Sequence, residues 1–265
     1  WQFRMGRGIV GTPNDFGALG ERPTHPQLLD WLASEFVAQN WSVKALDRLI
    51  VLSAAYRQAS TVDAKKQAID PDNKLYWRMN RRRLEGEAIR DSVLAASGRL
   101  NLKPFGPPVR TPIEPEIYDI IFTEAEPDNL WPLPKDRTEM NRRSIYLLNK
   151  RTVRLPMFAN FDQPDTMSSC AFRPVSTHAL QALTMMNSDF MAQQSVAFAE
   201  RLMREAEPTA TNRTQALIES AHRLALGRAP NAADVQLGRT FLDKGGRLPE
   251  YCLALLNRSE FLYIP

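Results

Sequence analysis

Residues 141–187 read NRRSIYLLNKRTVRLPMFANFDQPDTMSSCAFRPVSTHALQALTMMN and change character twice. The run Ser144-Ile145-Tyr146-Leu147-Leu148 is rich in residues that tolerate extended backbone, so a short strand or extended segment is expected there. Phe161-Asp162-Gln163-Pro164-Asp165 is turn chemistry. Ser176 or Thr177 then stands where a helix running through Met186 would be capped. An Arg-rich extended segment thus passes through a turn into a helix. That passage predicts a mainly α protein in which this stretch crosses between two packed helical halves, with long proline-rich connectors and at most one or two short strands.

Downstream, the pattern stays helical. Asn187-Ser188-Asp189 reads as a break and a new cap, and the following helix sets Met191, Ser195, Phe198 and Leu202 on one face. Thr211 or Thr214 is expected to open the next helix, with Leu217, Ala221 and Leu224 inward and Gly227 as its terminal glycine. Asn231 caps a third, and a last helix runs from about Leu248 to Arg258. Met185 and Met186 read as core filler.

Upstream, Pro104, Pro107, Pro108 and Pro112 end any helix and favour an extended connector. Before them, Ile89, Val93, Ala96 and Leu100 trace a buried helical stripe, and Arg83, Glu87, Arg90 and Asp91 fall one turn apart along the same helix. Residues 60–76 are polar and read as a connector. An αα-hairpin is expected before that: Leu28, Leu29, Leu32 and Phe36 line one helix, Asn40 breaks it, and Ser42 caps the second. Thr24 and Gln27 have capping-box spacing, with Pro26 at an early helical position. The expected division is an N-terminal helical half over 1–106, a connector region over 107–175, and a C-terminal helical bundle over 176–265.

The 265 residues, 43% hydrophobic and 24% charged, suit an ordinary globular protein, and no apolar run approaches the roughly 20 residues that span a bilayer. No membrane span is expected. The chain opens on Trp1 without a basic leader and apolar core, so no signal peptide is expected within these residues. Cys170 and Cys252 are too far apart in sequence for a local metal knuckle, and two unpaired thiols are expected although one disulfide stays open. Without Cys-x-x-Cys-His there is no haem c attachment, and no cofactor is expected in this chain.

Six acids and no Lys or Arg lie between Glu114 and Asp128, whereas 135–154 holds seven cations against Asp136 and Glu139, a net of +5. Adjacent strips of opposite sign compensate each other, so an uncompensated nucleic-acid surface is not expected. Gly6-Arg7-Gly8-Ile9-Val10-Gly11 matches a dinucleotide fingerprint in letters alone, because turn residues follow it where a helix must begin.

No motif names a reaction. Asp162 and Asp165 present two carboxylates three positions apart, and with His25 and Arg143 they are the candidates for acid–base chemistry. A structural turn at the two aspartates, and a histidine helping a helix start, are the plainer readings. Asn14, Asp15 and Glu21 share one loop and offer oxygen ligands, but their spacing lacks the dense pattern of a calcium loop, so turn capping is expected and no metal. Arg142, Arg143, Lys150 and Arg151 are the candidates for binding an acidic polymer.

The runs GRGIVGTPNDFGALGERPTHPQLLDWLASEF, LDRLIVLSAAYRQ and RRRLEGEAIRDSVLAASGRL, followed in order by RRSIYLLNKRTV, FDQPDTMSSC and STHALQALTMMNSDF, and at the end LGRAP and NRSEFLY, carry a resemblance. Together they resemble the planctomycete-specific domain of unknown function that closes multidomain cytochrome c-like proteins, and the likeness extends over almost the whole chain from Arg7. The resemblance implies a module of exported proteins, placed in the periplasm or cell envelope, with a haem c domain upstream of this chain. It brings no established catalytic residues. A non-catalytic scaffold or docking module, partnered by the upstream cytochrome c-like domain or another envelope protein, is therefore the leading expectation. The alternatives are an enzyme or enzyme subunit acting on exported glycans, and an anionic-polymer binding module. Any site is expected where 141–187 meets the Asn14–His25 loop.

Overall fold

The computed structural model describes residues 1–113, 118, 131–151, 153–205 and 212–264. The protein is mainly α with a single two-stranded sheet among the described residues, as expected. It forms two compact units, Trp1–Arg83 with Tyr263–Pro265, and Leu84–Leu262. These bounds fall elsewhere than the three sequence segments: the helix at 86–96, the proline-rich stretch and the C-terminal helices share one unit. The acidic run from Glu114 to Asp128, apart from Tyr118, and the proposed cap Thr211 lie outside the described residues.

In the first unit, α1 (Gln2–Met5) stops at Gly6, whose φ of 83° suits glycine at a left-handed helix end. Helices α2 (Pro26–Ala38) and α3 (Val43–Leu52) pack as the expected hairpin, turning through Asn40 and Trp41 at positive φ. Ser42 caps α3 by accepting from the Ala45 amide. The capping box at Thr24 does not form. His25 is the residue before α2, and the Thr24 hydroxyl donates instead to the Ile9 carbonyl at 3.2 Å.

Residues 60–76 also depart from the connector reading. Asp63 caps α4 (Ala64–Ile69), the Asp70 carboxylate accepts from the Lys74 and Leu75 amides, and the fully buried Asn73 donates to the Arg78 carbonyl and to Asn80. Polar residues here satisfy backbone groups of a packed loop, which composition alone does not distinguish from a solvated linker. The loop closes over a small core of Met5, Tyr76 and Met79. Strand β1 (Arg82–Arg83) pairs antiparallel with β2 (Tyr263–Ile264), Arg82 opposite Ile264.

The second unit begins with α5 (Gly86–Ala96), whose Ile89, Val93 and Ala96 are buried as their spacing predicts. The proline-rich stretch is not extended throughout as expected but bends at 105–107, with Phe105 and Gly106 at positive φ, before Val109 bridges in parallel to Leu147: its amide donates to the Tyr146 carbonyl and its carbonyl accepts from the Leu148 amide, both at 2.8 Å. The expected extension at 144–148 is therefore present from Leu147, while Ser144–Tyr146 is a 3-10 turn. After the short α6 (Pro156–Asn160) come α7 (Ala179–Asn187), α8 (Asp189–Glu205), α9 (Arg213–Leu226), α10 (Ala232–Asp243), α11 (Leu248–Leu256) and α12 (Ser259–Leu262).

Helix α11 packs along α8, and both share a core with α5 and α9 that includes Ile89, Phe198, Leu202, Ile218 and Leu256. Two caps differ from expectation. Asn212, not Thr214, caps α9, and neither Ser176 nor Thr177 caps α7, because Ser176 is engaged by Asp162. Met185 is buried as expected, but Met186 is exposed.

Candidate functional site

A cleft of about 420 Å³ opens in the second unit between α5 and residues 143–149. Glu85, Glu87 and Asp91 stand on its α5 side, Arg143, Ser144 and Asn149 face them, and Leu147, Val153, Leu155 and Phe158 lie between. Glu87 and Asp91 are four residues apart and so share a helix face. Like charges at that spacing repel, and each needs a cation or donor from elsewhere in the fold.

Arg173 supplies one, donating to the two Glu87 oxygens at 2.8 and 3.1 Å while lying 3.3 Å from Glu85. This carboxylate fork outweighs burial and raises the Arg173 pKa: burial itself lowers it, and Glu87 then Glu85 raise it. Asp91 accepts from the Ser144 amide and hydroxyl, both at 2.7 Å, and Arg143 approaches it to 3.6 Å from the exposed side.

Beneath the cleft Arg90 is buried and donates to the carbonyls of Met140 and Arg142 and to the Ser144 hydroxyl. Burial pushes its pKa down to about 10, with Asp91 acting in the opposite sense. Arg90 and Asp91 thus pin residues 140–144 to α5 and fix one cleft wall. Of the charged residues one turn apart along this helix, Arg90 and Asp91 lie 3.9 Å apart, while their hydrogen bonds go outside it. Glu87 takes Arg173, and Arg90 takes backbone carbonyls.

The other residues proposed from sequence are placed as follows. Arg143 lines the cleft. Asp162, at φ 60°, accepts from the Ser176 amide at 2.9 Å and hydroxyl at 2.6 Å, and Asp165 accepts from the Met167 amide. The two carboxylates are therefore loop clamps, and neither lines the cleft, though Gln163 between them does. Arg142 is 1% exposed, donating to the carbonyls of Lys103, Phe105 and Pro107 and lying 4.2 Å over the Tyr146 ring, so it is not a surface ligand. Lys150 and Arg151 are exposed, outside the cleft lining.

His25 and the Asn14–Glu21 loop belong to the first unit. His25 hydrogen-bonds Thr24 at 2.9 Å and lies against Tyr76, Asp15 accepts from the Gly17 amide, and Glu21 pairs with Arg7 at 3.1 Å. Asn14 is exposed beside Asp15 in this turn. Among the described residues no group of three His, Cys, Asp or Glu is set to hold a metal ion. The two cysteines are unpaired: Cys170 is exposed, and burial pushes the Cys252 thiol up to about 12.

Glu85, Ser144, Asn149, Gln163 and Arg173 escaped the reading from sequence. The like-charge pair Glu87 and Asp91 on one helix face could have pointed to Arg173 and Ser144, since it calls for partners off the helix.

Fold and cleft together define a mainly α-helical domain with a carboxylate-lined cleft. The chain belongs to the PSD1 family, described as a protein of unknown function (DUF1553), which it matches over residues 1–242. No curated protein and no solved structure matches it. No helix among the described residues is long and apolar enough to cross a membrane.

Proposed function

We propose that this domain is a non-catalytic scaffold that docks a cytochrome c-like domain of the same polypeptide, or another envelope protein, in an exported planctomycete protein. One observation carries the reading: Leu180, Leu183 and Met186 of α7 are 56%, 50% and 57% exposed, on the side opposite the buried Gln181 and Met185. Apolar side chains gathered on one helix face and left in water mark interaction surfaces. Met167, Phe172 and Val175, in the segment that leads into α7, are exposed as well.

The engagement of Asp162 and Asp165 by neighbouring backbone and hydroxyl groups supports a structural rather than chemical role for that turn. Haem c belongs to the partner in this reading, and the setting is extracytoplasmic.

Mixing the purified cytochrome c-like domain with this chain in a calorimeter tests the idea. Association, with a shift in the haem midpoint potential, is expected, and the double variant Leu180→Glu, Leu183→Glu should weaken it at least about tenfold, the effect of losing central apolar anchors. If there is neither heat nor a change in potential, the docking reading fails.

A further inference from the structure

We infer that the turn between α2 and α3 docks peripherally on an anionic lipid surface, through a tryptophan, two valines and two cations. Val37, Trp41 and Val43 are all exposed, the indole by 67%, and all three lie within residues 37–43, where the hairpin closes. Apolar side chains scattered singly over a surface need no explanation, but three gathered at one tight turn do.

The backbone singles out the tryptophan. Asn40 and Trp41 are consecutive left-handed residues, at φ 53° and 59°. Asn adopts that conformation readily and a bulky residue rarely, whereas glycine would turn the chain without strain. The turn itself therefore has no use for an indole at 41. Phe36 supports one side of the ring, nearly perpendicular to it with centroids 5.3 Å apart, and most of the indole is left in water.

Charge decides the partner. Lys44 and Arg48, one turn apart on α3, are exposed and make no ion pair among the described residues. The acids near them are engaged: Asp47 accepts from Arg4 through two hydrogen bonds at 3.0 and 2.6 Å, and Glu35 accepts from Gln39. Asp30, also exposed, lies about two turns before Val37. Apolar side chains with free cations beside them are what a peripheral membrane contact requires, the first entering the headgroup boundary and the second meeting anionic lipid. A tryptophan ring, apolar with one polar N–H, suits that level. A neutral bilayer would leave Lys44 and Arg48 without a counterpart. The turn belongs to the first unit, and the inference stands apart from docking at α7.

The test is co-sedimentation of the whole chain with vesicles of phosphatidylcholine alone and of phosphatidylcholine with phosphatidylglycerol added. Binding to the anionic vesicles is expected, at least about tenfold tighter than to the neutral ones, and it should fall between about 0.1 M and about 1 M salt. Lys44→Gln with Arg48→Gln should weaken it about tenfold, and so should Trp41→Ala. Val37→Gln with Val43→Gln leaves the left-handed residues in place and should weaken it as well. Bromine-labelled lipid should quench tryptophan emission, and Trp41→Phe, which keeps an aromatic anchor, should still bind but lose most of that quenching. No binding to anionic vesicles, equal binding to both kinds, or binding unchanged in both apolar variants overturns the inference. So does a dimer that forms without vesicles and is lost in Trp41→Ala while vesicles go unbound, which would give the turn to a second copy of the chain. The Leu180→Glu, Leu183→Glu variant should bind vesicles as the wild type does, so failure at α7 and failure at this turn are read separately.

Discussion

At the scale of single residues, the arginines of this protein divide by what they donate to. Arg142 stands beside Arg143 in a strip that looks like one cationic surface, yet its guanidinium is spent on carbonyls of the proline-rich stretch. Removing it takes a charged donor from three carbonyls of exposed residues, each hydrogen bond contributing about 1 kcal/mol. Arg142→Met should therefore lower unfolding free energy by about 3 kcal/mol in urea titration, while Arg143→Met should change it little. A surface anion ligand at Arg142 would give the opposite pattern. Asp234 shows the same economy in the C-terminal helices. It accepts from Arg228 and Arg258, at 2.8 and 2.9 Å, and from the Asn231 amide, with the buried His222 at 3.8 Å. Burial pushes its carboxyl pKa upward, but these donors more than offset that and hold it well below the usual carboxylate range. A depressed folded pKa gives stability that is complete above the unfolded value of about 3.9 and is lost as pH falls below it. Between about pH 6 and about pH 3 the wild type should accordingly lose more stability than Asp234→Asn. Parallel curves would show that the charge is not what holds this network.

At the scale of elements, signals that live within one turn of chain were legible in the sequence, and signals that depend on distant partners were not. Gly227 closes α9 at φ 69°, Asn231 and Asp234 form the capping box of α10, and the inward positions of α5 and α8 follow their period. These are local: one dihedral, one short-range hydrogen bond, one repeat. Gly227→Ala should cost about 1 kcal/mol through the left-handed backbone alone, since nothing lies within 4 Å of the added methyl. A Tm unaltered within error would show that α9 ends by other means. By contrast, Ser176 reads as a cap until Asp162 takes it from fourteen residues away, and Glu87 reads as a partner for its own helix until Arg173 arrives from 86 residues downstream. The polar loop at 60–76 misleads for the same reason, because Asn73 looks like linker composition and is a fully buried hinge of hydrogen bonds. The cleft lay at the far end of this scale. Glu87 and Asp91 on one wall and Arg143 on the other were visible as charged positions, but the space between them exists because Arg90 and Asp91 hold residues 140–144 against α5.

At the scale of the whole molecule, the two units differ in what keeps them folded. Among the described residues, the largest cluster of the second unit unites seventeen buried side chains from Ile89 to Phe261, whereas the cluster named for the first unit unites Met5, Tyr76 and Met79. With burial contributing about 25 cal/mol per Å², the unit with the smaller core should open at lower free energy. Hydrogen exchange should show it, with α2 and α3 losing protection well before α8 and α11. The first unit also depends on the end of the chain. Strand β2 is its contribution from residues 263–264, and β1, to which it pairs, further anchors α1 through the Arg82 guanidinium donating to the Phe3 carbonyl at 2.6 Å. Truncation after Leu262 removes the β-pairing without touching the seventeen-residue core. Amides of Arg82 and Arg83 should then exchange faster and α1 should fray, while α8, α9 and α11 keep wild-type protection. Equal loss of protection in both units would mean that they open as one cooperative body, and the chain end would then matter to the whole rather than to the unit it completes.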